Sequence, residues 1–305
     1  MIVVGGEALV DLVIDPEGAI TAKLGGGPFN AARAIALLGS DVAFLGALSR
    51  DRFGTMLHRQ LLVDGVDDSQ VQFTELPTTM ASAELDEHGA ATYHFYIAET
   101  SAPNLHPVQL PPDVDILHVG TLGIVLEPMA SSLETIVHAV DDDVLVVLDV
   151  NCRPAVTIDR VGYLARLERI LRRADLVKVS TDDLDFLCPA DPEAGVRMLL
   201  AGGAAAVLHT DGGRSVHIHH VNGEVEVPVP VVALVDTIGA GDAFGGAFAA
   251  WWDQAGLGRR GLADDAAVRK AVVASIEVAA LNCTRVGAQP PRRAELGDRW
   301  DPTGR

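Results

Sequence analysis

Between Gln60 and Cys152 the chain carries no lysine or arginine. That stretch offers no cationic partner to a carboxylate or phosphate of a ligand, so a small molecule it covers is expected to be neutral. Arg33, Arg50 and Arg153 are the nearest cations that remain. Positive charge is scarce throughout, with 23 Lys and Arg against 42 Asp and Glu and a net charge of -19, which argues against a nucleic-acid-binding surface. The three cysteines, Cys152, Cys188 and Cys283, are odd in number and form no Cys-x-x-Cys or Cys/His cluster, so buried thiols are expected, not disulfides or a zinc site. Met1-Ile2-Val3-Val4 has no basic lead-in and no long apolar run behind it. Neither a signal peptide nor a transmembrane helix is expected, no membrane partner is foreseen, and the expected compartment is cytoplasmic. Also missing are Gly-x4-Gly-Lys-Ser/Thr and a Gly-x-Gly-x-x-Gly after the first strand, which disfavours a P-loop NTPase and a standard dinucleotide dehydrogenase. No internal repeat or low-complexity segment interrupts the chain.

What is present is enough apolar material for a large core. Of the 305 residues, 49% are hydrophobic, which suits one α/β domain with a small accessory element. Residues 1–5 read as a buried strand and Glu7 to Ile14 as its loosely alternating continuation, with Asp11 the one acid inside an apolar stretch. Such an Asp is either a turn or edge residue or an acceptor for the hydroxyls of a ligand. Gly25-Gly26-Gly27-Pro28-Phe29-Asn30 is a glycine turn that opens a helix running to Gly39. Thr79 to Leu85 and Ala91 to Ile97 are strand-like runs joined by the turn residues Asp86-Glu87-His88-Gly89, a hairpin that is either an ordinary edge or a lid. Tyr93, Phe95 and Ile97 share one of its faces, and His94 and Tyr96 the other.

From Asp115 onward strands and helices alternate through Ile116–Val119, Met129–Val140, Val144–Val150, Tyr163–Arg173, Leu176–Val179, Pro192–Leu200 and Ala205–His209. Parallel βαβ units covered by helices on both faces follow from this pattern. Ligands of such sheets gather at the carboxyl ends of the strands, which places Asp149-x-Asn151-x-Arg153, Lys178-x-Ser180 and Thr210-x-Gly212 on one rim. Each also has a plain reading as a strand-end turn. His217 and His219 face one side of a strand, but without an adjacent Cys or acid in sequence they are expected to be exposed hairpin residues, not metal ligands.

The segment around which the rest is organised is Val235-Asp236-Thr237-Ile238-Gly239-Ala240-Gly241-Asp242-Ala243-Phe244. It follows a strand-like run ending at Leu234 and opens a buried helix over Ala243 to Trp252. Backbone N–H groups at a helix start lack intrahelical partners, so Gly239, Ala240 and Gly241 can cradle an anion such as a phosphate. Asp242 in the first turn is either a stabiliser of the helix dipole or a base that takes a proton from a hydroxyl while the amides hold charge on a transferred phosphoryl group.

Asp236-Thr237-x-Gly239-Ala240-Gly241-Asp242-x-Phe244 resembles the C-terminal signature of the ribokinase-like (PfkB) carbohydrate kinases. Gly25-Gly26-x-x-x-Asn30-x-Ala32 is similar to the N-terminal signature, continuing through Phe44-Leu45-Gly46, Asp51-x-Phe53-Gly54 and Gly65-Val66-Asp67. Glu7-Ala8-Leu9-Val10-Asp11 is similar to the opening of the fructokinases within that family. The resemblance covers Glu7 to Ala288 and implies a three-layer α/β/α core with a mostly parallel central sheet and a small β-sheet lid. The expected division is 1–14, 25–76 and 101–305 for the core and 15–24 with 77–100 for the lid, which excludes water and with Phe95 covers the sugar.

The resemblance also implies an ATP-dependent kinase acting on a primary hydroxyl of a small neutral sugar, fructose first, with another ketose, 2-keto-3-deoxygluconate, ribose or a nucleoside as alternatives and a non-catalytic sensor as a more distant one. Asp242 is its base and the 239–242 amides its anion hole. Asp11, Gly25, Gly26, Asn30 and Arg153 are placed at the sugar, and Lys178, Ser180, Asp183, Thr210, Gly212 and Asn282 at the nucleotide, Asn282 near the adenine. Asp236 and Thr237, close to the Arg285–Ala288 turn, are placed at a monovalent-cation site suited to K+. Asp183 is expected to reach Mg2+ through water. Two departures stand out: Ser180-Thr181-Asp182-Asp183 replaces the usual Asn-x-x-Glu, and Ser215 replaces the last glycine of Thr-x-Gly-x-x-Gly. Pairing of two chains through the lid is a further expectation.

Overall fold

The computed structural model describes every residue except 86–90, 190, 222 and 305. Two sheets carry the fold. The larger has nine strands in the order β13-β12-β11-β10-β9-β8-β1-β4-β5, and the smaller has four in the order β3-β2-β6-β7. In chain order the first strands are β1 (Ile2–Gly5), β2 (Leu9–Ile14) and β3 (Ile20–Gly25), followed by helix α1 (Gly27–Leu37), β4 (Val42–Ser49), α2 (Arg52–Asp64) and β5 (Val71–Thr74). The hairpin strands β6 (Met80–Leu85) and β7 (Ala91–Tyr96) come next. After them run β8 (Ile116–Gly120), α3 (Met129–Ala139), β9 (Leu145–Asp149), α4 (Arg160–Leu171), β10 (Leu176–Ser180), α5 (Thr181–Leu187), α6 (Pro192–Gly202) and β11 (Ala206–Asp211). The chain closes with β12 (Ser215–His220), β13 (Gly223–Pro228), α7 (Ala240–Gln254), α8 (Asp265–Asn282) and the short α9 (Arg293–Leu296).

In the larger sheet the run β11-β10-β9-β8-β1-β4-β5 is paired in parallel, while β12 and β13 extend it on one side as antiparallel strands. The parallel strands are continuous apolar runs because both of their faces are covered. Ile2 and Val4 join one core cluster, with Phe29, Phe248 and Trp252 of α1 and α7, whereas Val3 between them joins the other, with Leu133 of α3 and Leu167 of α4. The period of two along a strand thus distributes alternate side chains to two helical layers. This α/β architecture matches the expected fold class.

Two readings of the sequence need correction. Leu9–Ile14 is not a continuation of the first strand in the large sheet; the chain breaks at Gly6, with φ of 150°, and β2 becomes a central strand of the small sheet between β3 and β6. Asp11 therefore belongs to the small sheet. The strand-like run toward Leu234 stops at Pro228, and residues 229–235 are irregular, with Val231 fully exposed. β13 is the sheet edge, and Pro228 and Pro230 have no N–H to donate to a further ladder. The hairpin strands form as expected, paired antiparallel from Met80 opposite Tyr96 to Leu85 opposite Ala91, and their turn Asp86–Gly89 lies outside the described residues.

Candidate active site

The helix that begins at Ala240 has Gly239 as its N-cap, in left-handed backbone with φ of 73°. A Cβ there would stand 2.5 Å from that of Ala288, so the turn admits only glycine on both counts. Ala240 N–H donates to the Thr237 carbonyl at 3.1 Å. It is thereby withdrawn from the expected anion hole. Among the described residues the N–H groups of Gly239, Gly241 and Asp242 have no protein acceptor, and these face the mouth of the helix. The turn is fastened from below: Asp236 accepts from Ile238 N–H at 2.9 Å and from Gly287 N–H at 2.7 Å, and Asn282 Nδ2 donates to the Ile238 carbonyl at 2.9 Å. Asn282 is fully buried and acts as this brace.

Asp242 accepts a hydrogen bond of 2.9 Å from Asn30 Nδ2, which lies in the first turn of α1. Burial holds the Asp242 carboxyl above the ordinary aspartate range, against the lowering effects of Asn30, Lys178 and Arg153. Asn30 is itself buried, and its Oδ1 has no partner among the described residues. Since Nδ2 is committed to the carboxylate, Oδ1 is left as an acceptor pointing at nothing the protein supplies. Gly27 completes this wall: a Cβ on it would lie 2.7 Å from Thr121 Cγ2, 3.2 Å from Asp242 Oδ1 and 3.5 Å from Asn151 Nδ2. Asn151, at the end of β9, takes a positive φ of 35° and accepts from Arg153 at 2.5 Å. Residues from four separate segments therefore converge around Gly27.

From the small sheet Asp11 faces this group, pushed up to about 6 by burial and by Asp242, with Arg153 opposing. Gly25 makes room for it: a Cβ at Gly25 would sit 2.3 Å from Asp11 Oδ2. Gly26, with φ of 108°, is pressed to within 2.6 Å of the Glu7 carbonyl on the same test. The paired glycines thus accommodate the protein's own carboxylate and backbone. Phe95 packs partly buried on the second core cluster and stacks on Tyr93 with centroids 6.5 Å apart.

Glu7 and Thr121 are site residues that sequence reasoning missed. Thr121 Oγ1 donates to both Glu7 carboxylate oxygens, at 2.6 and 2.5 Å, and Gly27 N–H donates to Glu7 Oε1 at 3.2 Å. Burial lifts Glu7 to about 7. The available signal was the one used for Asp11, an acid in an apolar run; Thr121 carried no signal, because its left-handed φ of 54° appears only in the fold.

The nucleotide-side residues separate into two groups. Lys178 is buried beside Asp149 in the sheet register, with Nζ 3.0 and 3.2 Å from the two carboxylate oxygens. Asp183 is also buried: Oδ2 accepts from Ser180 N–H and Oγ at 2.7 and 2.8 Å, and Oδ1 from Cys152 N–H at 2.5 Å. The Ser180–Asp183 pair is a capping box for α5 that also ties down the Asn151 loop. Asp183 Oδ2 is filled by two donors, while Oδ1, with one, keeps a lone pair for the expected contact with Mg2+ through water. Thr210 and Gly212 remain at the rim, Thr210 near the end of β11 and Gly212, with φ of 54°, in the tight turn between β11 and β12. Ser215 is buried at the start of β12 and bonds His217 at 3.0 Å. His217 is not an isolated exposed residue: it stacks with His209 and His219, and Glu224 of β13 holds its Nδ1 at 2.6 Å. No cluster fit to hold a metal ion occurs among the described residues, nor does a helix long and apolar enough to cross a membrane.

Unpaired helix-start amides beside a buried carboxylate suit the stabilisation of charge on a transferred group, and comparison with known proteins shows the family. The pfkB family carbohydrate kinase pattern matches residues 1–295, and the chain belongs to that family. It is 32% identical over 252 residues to a fructokinase of Rhizobium leguminosarum bv. trifolii, covering 80% of this chain and 77% of the relative. A fructokinase with bound ATP from Xylella fastidiosa superposes with a TM-score of 0.89 at 28% identity, covering 98% and 97% of the two chains. A fructokinase double mutant from Vibrio cholerae O395, in its fructose-, ADP- and potassium-bound form, superposes with a TM-score of 0.85 at 27% identity over 98% of each chain. This protein is a sugar kinase, a phosphotransferase with an alcohol group as acceptor.

Proposed function

We propose that the protein transfers the γ-phosphate of ATP to a primary hydroxyl of a small neutral sugar, fructose first. The observation that carries this reading is the pairing of Asp242 with Asn30 at the first turn of α7, beside three amides without a protein acceptor. In the reaction Asn30 Oδ1, Asp11 and Arg153 orient the sugar hydroxyls. Asp242 takes the proton of the attacking hydroxyl, and the amides of Gly239, Gly241 and Asp242 hold the charge that develops on the transferred group. The donor nucleotide lies along the rim at Thr210 and Gly212, and Phe95 with the small sheet covers the sugar and keeps water away. On this reading β2 joins 15–24 and 77–100 in the lid, which takes Leu9–Ile14 out of the expected core.

Mg2+ belongs with the nucleotide phosphates, as such ions do, and neutralises them; Asp183 Oδ1, which accepts only from Cys152 N–H, is the oxygen through which the chain would reach it by way of water. K+ fits the Asp236–Thr237 turn: hard oxygen donors lie there, each Asp236 oxygen keeps a second lone pair, and the turn leads directly into the amides. Bound there, the ion adds positive charge behind the anion hole. The absence of Lys and Arg from 60 to 152 favours a neutral sugar over a sugar acid. The test is an ADP-release assay with Mg·ATP against fructose, glucose, ribose, adenosine and 2-keto-3-deoxygluconate, with Asp242→Ala alongside. Fructose-dependent turnover lost in the variant is the expected result. Turnover with another member alone replaces the substrate, and no Asp242-dependent ADP with any member removes the reading.

A further inference from the structure

Helix α7 starts on top of a buried charge. Gly241 and Gly245, one turn apart on the same face, lack side chains where that charge lies beneath them. A Cβ on Gly241 would be 3.0 Å from Lys178 Nζ, and one on Gly245 would be 3.2 Å from His118 Nε2 and 4.0 Å from Asp149 Oδ2. Lys178 and Asp149 are 5% and 1% exposed, and His118 is 3% exposed with neither ring nitrogen partnered among the described residues. Burial and Lys178 hold His118 down to about 4, so it is neutral and Lys178 is the cation. For Lys178 itself, burial opposes the charge, but Asp149, Asp183 and Asp242 outweigh it and keep the ammonium protonated.

This is an expensive place for a cation. A buried ion pair recovers little more than its desolvation cost, and the start of a helix is the positive end of its dipole, which repels a lysine. The arrangement is stabilised once negative charge gathers on the other side of Gly241, where the unpaired amides point. We propose that Lys178 is a positioning residue of the transfer reaction: a buried ammonium, held by Asp149, that supports the anion hole and the Asp242 carboxylate from beneath Gly241 without touching sugar or nucleotide. The proposal rests on the reading of Asp242 as the base. It replaces the expectation that Lys178 contacts the nucleotide. The charged groups facing Asp242 are Lys178 from β10 and Arg153 from the loop after β9 as cations, with Asp149 of β9, Asp11 of β2 and Glu7 as acids, while Asp183 faces Lys178 and Asp149.

The experiment compares wild type, Lys178→Met and Lys178→Met/Asp149→Asn for melting temperature, kcat, KM of sugar and ATP, and the pH dependence of kcat/KM. The double variant removes both charges, so it avoids stranding Asp149 alone in the core. Expected are a folded double variant, a kcat lower by roughly 30-fold or more with both KM values within about threefold, and, in Lys178→Met, an acid limb moved to higher pH. A kcat within about twofold of wild type and an unmoved limb would overturn the proposal, as would a raised KM for ATP at unchanged kcat, which marks a nucleotide contact. Failure of the double variant to fold overturns it too, assigning the pair to the core. Asp242→Asn in the same assay separates the two ideas: turnover retained there sinks the base assignment, whereas turnover lost there and intact in the double variant sinks only the role of Lys178.

Discussion

Asp149 and Asp211 end two parallel strands of the same sheet, each has a cation beside it, and they behave in opposite ways. Asp149 is sealed under α7; burial pushes it up to about 6 although Lys178 touches it. Asp211 stands at the open rim, where hydrogen bonds from Arg214 and Thr181 draw it down to about 2. The cation is common to both, so water makes the difference. A carboxylate that keeps its hydration gains from a partner, whereas one that loses it regains only part of the cost. Asp11, Glu7, Asp149 and Asp242 share the dry end, which suits proton abstraction, and Asp211 marks the wet end, which suits a charged nucleotide.

The sharpest break of this contrast is at Asp242. Asp242→Asn is expected to lower kcat by roughly two to four decades while sugar binding persists, since a general base contributes on that order. In the wild type kcat/KM falls on the acid side through a midpoint above the ordinary aspartate range, because only the ionised carboxylate accepts the proton and burial disfavours that form. A limb near the unperturbed value would contradict the dry environment. Asp11→Asn is next: loss of one hydroxyl contact predicts a KM for sugar about tenfold higher with a smaller change in kcat. An effect confined to kcat would move Asp11 away from binding.

Glu7 gives a stability test. Its folded-state value of about 7 lies above the unfolded value of 4.5, so its contribution is fully present below about pH 4.5 and is lost as pH rises through 7. That difference is worth roughly 3 kcal/mol at most. Glu7→Gln, neutral at every pH, is therefore expected to gain on wild type in melting temperature between pH 5 and pH 8; a constant gap would show that Glu7 is not held dry. The smallest effect belongs to the wet end. Arg214→Ala removes an exposed partner and is expected to leave melting temperature and kcat unchanged within error, because exposed ion pairs contribute little. A measurable loss of either would mean that the rim is less solvated than its exposure indicates.

Local pattern alone determined the alternation of parallel strands and helices, the rim at their carboxyl ends, and a helix opening on glycines with Asp242 in its first turn. These depend on periods of 2 and 3.6 and on turn chemistry, all encoded within about a dozen residues. Tertiary structure decided which side chains meet. Asn30 and Asp242 are 212 positions apart, and Glu7 and Thr121 are 114 apart; strand order brings them together, and no spacing in the chain records it. Packing also turned Asp183, Asn282 and Lys178 inward, withdrew Ala240 from the anion hole and carried β2 into the small sheet. Motif position specifies that a residue lies near the site, but desolvation and hydrogen-bond partners fix what it does there, and both are properties of the assembled fold.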